Sequence, residues 1–537
     1  MAENKQERMQ TEIVAAYQET GTISSTARVT GYTRDTVRRY LGKAGFDPKP
    51  MFQGRINERD VTARQLPAEG KVKTYILTSA QNNTYVHDRV WDNLLALADH
   101  YDAELLIGTF SYQKGVYGSK AVKKGTSSAA DREKLWFDPK IESYIVDSPV
   151  EIAPGIIWCG EMNILPTAVH PLEGLEVYTG RKSAIFPHVK VQMVSVASGK
   201  NDPTKFCYTT GTVTKRNYIQ KKAGLKAEFH HVYGALLVEV DDQGDWWARQ
   251  LNADNNARIC DWDVMVENGH VTTGNEIEAI TWGDIHVAYI DEDIANLAWG
   301  PHEMLDQLHP KYQFMHDVLD FRSRNGHTAK RNLIHDRFKA YIEGNDSVEE
   351  EIQNVAEFLQ WAGREWCKTI VVDSNHDRFM MEWLRIGDYK QDPVNAVYFL
   401  ESQLFVYKHI AKAPKDPLNL LRWAVERFTG AVKNLLFLDQ DESFVIHDIE
   451  YGMHGDEGPN GSKGTARGQA RMGRKMNRGH EHSAGIFEGV YTSGLTGLMD
   501  QGYNSGPSSW SHSHIITYKN RKRSIITMWN GKSHAKR

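Results

Sequence analysis

An aspartate and a histidine two residues apart, Asp284 and His286, lie in the run Gly283-Asp-Ile-His. The run follows an alternating apolar segment, Ile277 to Trp282, which predicts a strand. At a strand's C-terminal end both side chains can turn toward one ion. Further clusters follow in order: His316-Asp317-Val-Leu-Asp320, Ser374-Asn375-His376-Asp377, His454, and Gly479-His480-Glu481-His482. Each alone reads equally well as surface or capping residues; it is the ordered series that points to a site. Carboxylate, imidazole and amide oxygen are ligands for Mn, Fe or Zn, and the lack of thiolates disfavours a soft structural site. Two such ions about 3.5–4 Å apart can clamp a phosphate and supply a nucleophile from water. That chemistry needs one carboxylate spanning both ions and several neutral ligands around it.

The series resembles the calcineurin-like metallophosphoesterases, whose pattern runs D-x-H, G-D-x-x-D, G-N-H-D/E, H, G-H-x-H. The likeness covers about residues 276–490. It implies that Asp284, His286, Asp317 and His482 bind one ion and that Asp317, Asn375, His454 and His480 bind the other, with Asp317 bridging. It implies two divalent ions, Mn²⁺ first, with Mg²⁺, Fe²⁺ or Zn²⁺ as alternatives. His376 would serve the leaving oxygen, held in its tautomer by Asp320, with Asp377 behind them. There are departures. His316 and Ser374 stand where the family has glycine, and Phe321-Arg322 replaces the R-G of the protein phosphatases. Ala466 to Met476 predicts a basic helix where the family has an apolar strand.

The elements that must carry these residues alternate strand and helix from Asn275 onward. Lys368 to Val372 predicts a buried strand leading to Asn375, and Ser443 to Ile446 another before His454. Helices are expected near Val348–Gly363 and Pro417–Thr429. With the resemblance, the fold class is α/β: a metallophosphoesterase-type β-sandwich flanked by helices over 276–537, ending in a basic tail. Before it, residues 72–275 predict a mixed α/β domain of unassigned role. It opens on a βαβ unit (strand 74–78, helix 86–101, strand 104–108) and a Gly/Ser/Lys-rich loop, 114–128. His230-His231 reads as two histidines alternating across a strand. Residues 48–71, polar and Pro-containing, predict a linker.

Residues 1–47 predict a helical module. Ala27, Gly31 and Val37 have the spacing of a helix-turn-helix: a small residue for close approach, a left-handed turn, and an apolar anchor. Arg34, Arg38 and Arg39 would then lie on or beside the recognition helix. A protein-contact module with solvated arginines is the alternative.

The chain of 537 residues has a net charge of −5, so no global field draws a polyanion to it. Its basic residues are clustered instead. Arg471, Arg474, Lys475 and Arg478 abut the last ligand motif, and 519–537 carries seven basic residues and no acid. Such patches can hold DNA phosphates. Four scattered cysteines suit a reducing compartment. No run is apolar enough for a membrane span and no signal core opens the chain, so a soluble cytoplasmic protein without membrane partners is expected, with a homo-oligomer compatible. The whole chain is also similar to the pre-early host-DNA-degrading proteins of large lytic siphophages. That likeness implies a manganese-dependent DNase in the host cytoplasm. Two alternatives stand beside it: a phosphatase or nucleotide phosphodiesterase of the same fold, and a non-catalytic DNA-binding regulator.

Overall fold

Period-two alternation in four short strands builds the layer that carries the site. In a computed structural model describing residues 2–20, 23–46, 61–111, 136–200, 202–324 and 333–535, Ala279–Thr281, Tyr312–Met315, Lys368–Val371 and Leu435–Phe437 lie parallel in one sheet. Ser513–Thr517 and Arg523–Thr527 extend it antiparallel to six strands. Successive side chains point to opposite faces. Ile280, Met315, Val371, Ile516 and Ile526 face helices, packing with Ile352, Val355 and Leu359 of Val348–Ala362 and Ala424 and Val425 of Leu420–Thr429. Ala279, Phe314 and Ile370 face the other way, onto Ile446, Ile449 and Tyr451. Parallel strands need crossovers, and here the helices supply them.

Ile446 and Ile449 belong to a second, eleven-stranded sheet. It continues through Lys475–Arg478, Val490–Thr492 and Gly485–Phe487, and then crosses to Met193–Val196 by antiparallel pairing of Gly485 with Val194 and Ile486 with Met193. The expected division at residue 275 therefore does not coincide with a break: 61–537 forms one unit. Its architecture is mixed α/β with several sheets.

The βαβ unit is present as Val72–Gln81, Asp88–Tyr101 and Ala103–Phe110, the two strands parallel. The expected loop at 114–128 lies outside the described residues. Of the expected linker, Thr62–Ala63 instead pairs with Pro149–Ala153; 48–60 lie outside the described residues. His230 and His231 are not on a strand. They follow the helix Lys222–Phe229, where the His231 ring and the Tyr218 hydroxyl share a hydrogen bond of 2.7 Å. The basic tail is likewise corrected. Arg523 is buried in its strand, donating to the carbonyls of Met476 and Gly489 and lying over the Tyr491 ring. The four cysteines are buried free thiols. No described helix is long and apolar enough to cross a membrane.

Residues 1–60 form a unit of their own, with helices Ala2–Thr20, Ile23–Thr30 and Arg34–Lys43. Ile13, Val37, Tyr40 and Leu41 make its core, with Ala27 packed against them. Gly31, between the second and third helices, has φ +73°, a conformation glycine adopts without steric cost. Thr33 caps the third helix by accepting the Thr36 N–H. Arg38 and Arg39 are exposed; the Arg34 side chain lies outside the described residues.

Candidate metal centre

The loops leaving Ala279–Thr281 and Tyr312–Met315 run side by side past the ends of their strands. Ile285 N–H donates to the His316 carbonyl at 3.0 Å and His286 N–H to the Asp317 carbonyl at 2.7 Å. From the far side, Asp284 N–H donates to the Gly494 carbonyl, and the Gly283 N–H donates to His514 Nδ1 at 3.0 Å. This lattice of main-chain bonds aims Asp284, His286 and Asp317 into one space. All three are buried. The loop after Lys368–Val371 brings Asn375 and His376, where Asp377 accepts the Leu319 N–H at 3.1 Å.

The segment before Gly479 differs from the sequence expectation. Only Ala466–Ala470 is helical; Lys475–Arg478 is a strand whose last three residues are buried. Parallel pairing of Met476 with Glu450 and with Val490 overrides the local helical pattern. Its end delivers His480 and His482. Gly479 is required there, since a Cβ would sit 2.0 Å from Asp284 Oδ1.

The expected ligands converge. His482 Nε2 lies 3.2 Å from Asp284 Oδ2 and 3.0 Å from His286 Nε2, and His286 Nε2 is 3.7 Å from Asp317 Oδ2. Asp284, His286, Asp317 and His482 thus form one four-donor group. On the other side of Asp317, His454 Nε2 lies 3.2 Å from Oδ2 and 3.1 Å from Asn375 Oδ1, and His480 Nδ1 is 3.2 Å from the same amide oxygen. Asp320 Oδ1 contacts the Nδ1 atoms of both His286 and His376, at 3.1 and 3.2 Å.

Electrostatics follow from this crowding. Burial opposes ionising Asp317, yet His454, His376 and His286 hold its carboxyl well below the usual range. Burial is the largest influence on His454 and His376 and works against their protonation. The carboxylates together outweigh it, Asp317 with Asp284 and Asp456 at His454 and Asp317 with Asp320 at His376, and lift both to about 9. His480 is lowered by burial and then by His454, to about 4. The Asp377 carboxyl is pushed up to about 8 by burial and then by Asp317.

Two features suit the centre to a cation. Asp284 Oδ1, Asp317 Oδ1 and Asp320 Oδ2 are buried with no hydrogen-bond partner, each costing of order 1–3 kcal/mol if left so. And His286, Asp317, His480 and His482 all hold positive φ, from 47° to 75°, a strained conformation for such residues that concentrates at functional sites. Hard oxygens with imidazoles suit divalent transition ions. The buried His/Asp groups could therefore hold metal.

The expected basic patch is only partly on the surface. Arg471, Arg474 and Lys475 are exposed, Arg474 lying 3.5 Å from Glu450. Arg478 is sealed in, donating to the Gly455 carbonyl and to Glu481, and offers nothing to an external phosphate. Sequence reasoning missed Arg378, which pairs with Asp456 and with Asp373 at 3.1 Å. It ties the Asn375 loop to the His454 loop; its place three residues past Asn375 was the available signal.

No protein-family model matches the chain. It is 37% identical to protein A1 of Escherichia phage T5 over 475 residues, which span 86% of this chain and 83% of that protein. With that identity sustained over most of both chains, the protein belongs to the family of phage T5 protein A1.

Proposed function

We propose that the protein is a two-metal-dependent phosphodiesterase that cuts DNA, with a metallophosphoesterase-type sandwich as its catalytic body. The observation that carries the reading is the position of Asp317. One carboxylate oxygen reaches toward His286 on one side and His454 on the other, while its second oxygen has no partner. This is the placement that a carboxylate shared by two ions requires. Asp284, His286 and His482 would complete one ion's ligands with Asp317; Asn375, His454 and His480 would complete the other's. When bound, such ions polarise a phosphoryl oxygen and lower the pKa of water. The chain's own residues do the rest. Asp320 orients His376 through Nδ1, and in the metal-free protein the neighbouring carboxylates raise that imidazole to about 9. His376 can then give a proton to the departing oxygen. Mn²⁺ is the ion proposed.

DNA as substrate rests on the N-terminal unit, with the proposed helix-turn-helix of Ala27, Gly31 and Val37, and on the exposed Arg38, Arg39, Arg471, Arg474 and Lys475. The reading includes a role in degrading host DNA early in infection, in the host cytoplasm; the relative supports a phage protein. Purified protein with Mn²⁺ should cut DNA, and Asp317→Asn and His376→Ala should abolish cutting while keeping DNA binding. Circular and linear substrates in Mn²⁺ and Mg²⁺ separate endonuclease from exonuclease action. Hydrolysis of an aryl phosphomonoester with none of DNA would replace the reading with a phosphatase. DNA binding without cleavage in any divalent ion would make the protein a regulator.

A further inference from the structure

His316 stands one residue before Asp317, where the resemblance calls for glycine. It is fully buried and outside the ligand set of either ion. Its Nδ1 lies 3.4 Å from Nδ1 of His454, with the two rings 5.5 Å apart and inclined by 32°. Its Nε2 is buried without a partner. The opposite edge of His454 faces Asp317 and Asn375 through Nε2.

Two nitrogens at that separation share one proton, and which one carries it decides what His454 can do. If His316 donates, His454 Nδ1 accepts, and its proton sits on Nε2, where it donates to Asp317 or Asn375. If His454 donates from Nδ1, His316 accepts at Nδ1 and keeps its own proton on Nε2. His454 Nε2 is then a bare lone pair aimed at the space beside Asp317. For neutral imidazoles, the state that a bound ion requires of His454, passing between the two arrangements changes no net charge. Only the second arrangement leaves a metal-ligating nitrogen. The main chain holds the geometry: the His316 carbonyl accepts the Ile285 N–H at 3.0 Å, so the residue cannot swing away without disturbing the Asp284 loop.

We propose that His316 is a positioning residue that fixes His454 in the tautomer able to bind the second ion, a task a glycine cannot perform. The inference rests on the two-ion reading above. Partners that orient a ligating histidine typically change metal affinity about 10–100-fold when removed.

The test is Mn²⁺ titration of the full-length apo protein by calorimetry, with electron paramagnetic resonance of the loaded sample, on wild type, His316→Ala and His316→Gln. The glutamine retains an acceptor oxygen. The expected result is that His316→Ala keeps the tighter ion, weakens the other about 10–100-fold and loses the signal of a coupled ion pair. His316→Gln should restore most of that affinity. Two equal sites in His316→Ala with an unchanged pair signal would overturn the positioning role while leaving the two-ion reading intact. So would loss of both ions together with a lowered melting temperature that His316→Gln does not rescue. A wild type that binds no Mn²⁺ would overturn both.

Discussion

Two buried clusters of charge in the 61–537 unit are built on opposite principles. In one, Arg249 lies between two carboxylates. It donates to Glu239 at 2.8 Å and bidentately to Asp261, whose Oδ2 also accepts the Tyr101 hydroxyl at 2.7 Å. The cation sits inside the cluster, and each guanidinium nitrogen has a carboxylate partner. In the other, Asp284, Asp317 and Asp320 gather imidazoles, but among the described residues none of the three pairs with a lysine or arginine, and each keeps one oxygen without a partner. The first cluster closes on itself and secures the sheet around it. The second leaves carboxylate oxygens without partners and holds four of its residues at positive φ. A buried charge cluster that satisfies itself is costly to break, because removing one member strands the others; one whose carboxylates lack partners could take a cation.

The comparison breaks most sharply at Asp317. Asp317→Asn should reduce Mn²⁺-dependent DNA cleavage to background and, in chelator at neutral pH, lower the urea midpoint only modestly, by the attraction to His376 and His454 that is lost. Arg249→Ala should do the reverse. It strands Glu239 and Asp261, at a cost of about 3–5 kcal/mol, seen as a large drop in the denaturation midpoint with the metal stoichiometry of the surviving folded protein intact. If Asp317→Asn unfolds the protein and Arg249→Ala does not, the two clusters do not differ in this way.

A smaller effect separates the clusters by pH. In chelator, His376 and His454 titrate near 9, above a free imidazole at about 6.5. Their contribution to stability is complete below about pH 6.5 and is lost as pH rises through 9. Asp377, held near 8 by burial, adds to the same loss, since folding resists its ionisation. Stability of the metal-free protein should therefore fall from pH 6.5 to 9, and fall less in Asp317→Asn, whose missing charge was the main attraction on both histidines. Urea midpoints across that range check this; a flat wild-type profile would contradict it.

The smallest effect concerns the N-terminal unit. Replacing Arg38 and Arg39 together by alanine should weaken DNA binding across sequences and flatten the salt dependence of log K by about one unit for each phosphate no longer neutralised. Filter binding at several salt concentrations measures it. Cleavage at saturating DNA should be unchanged.

What was legible beforehand was local or ordinal. Residue types and their order named the donors, because ligand chemistry is carried by side chains and strand-end loops are short. Helix periodicity placed Val348–Ala362 within a residue of its observed end, and the glycine of Gly479-His480 was visible although its reason, the carboxylate of Asp284 against it, was not. The predicted helix ending at Met476 failed because a run of basic residues looks solvated until a partner strand buries it. Arg478 was assigned to DNA for the same reason.

The sequence by itself determined which groups could bind an ion, the three-helix N-terminal unit and the βαβ start of the accessory region. Only the tertiary structure decided that residues 72–275 and the site-bearing half share a sheet, that Lys475–Arg478 is a strand, and that His316 faces His454. Each depends on partners far apart in the chain, as in Ile486 beside Met193. Hydrogen bonds and burial between such partners leave no periodic trace in either segment alone.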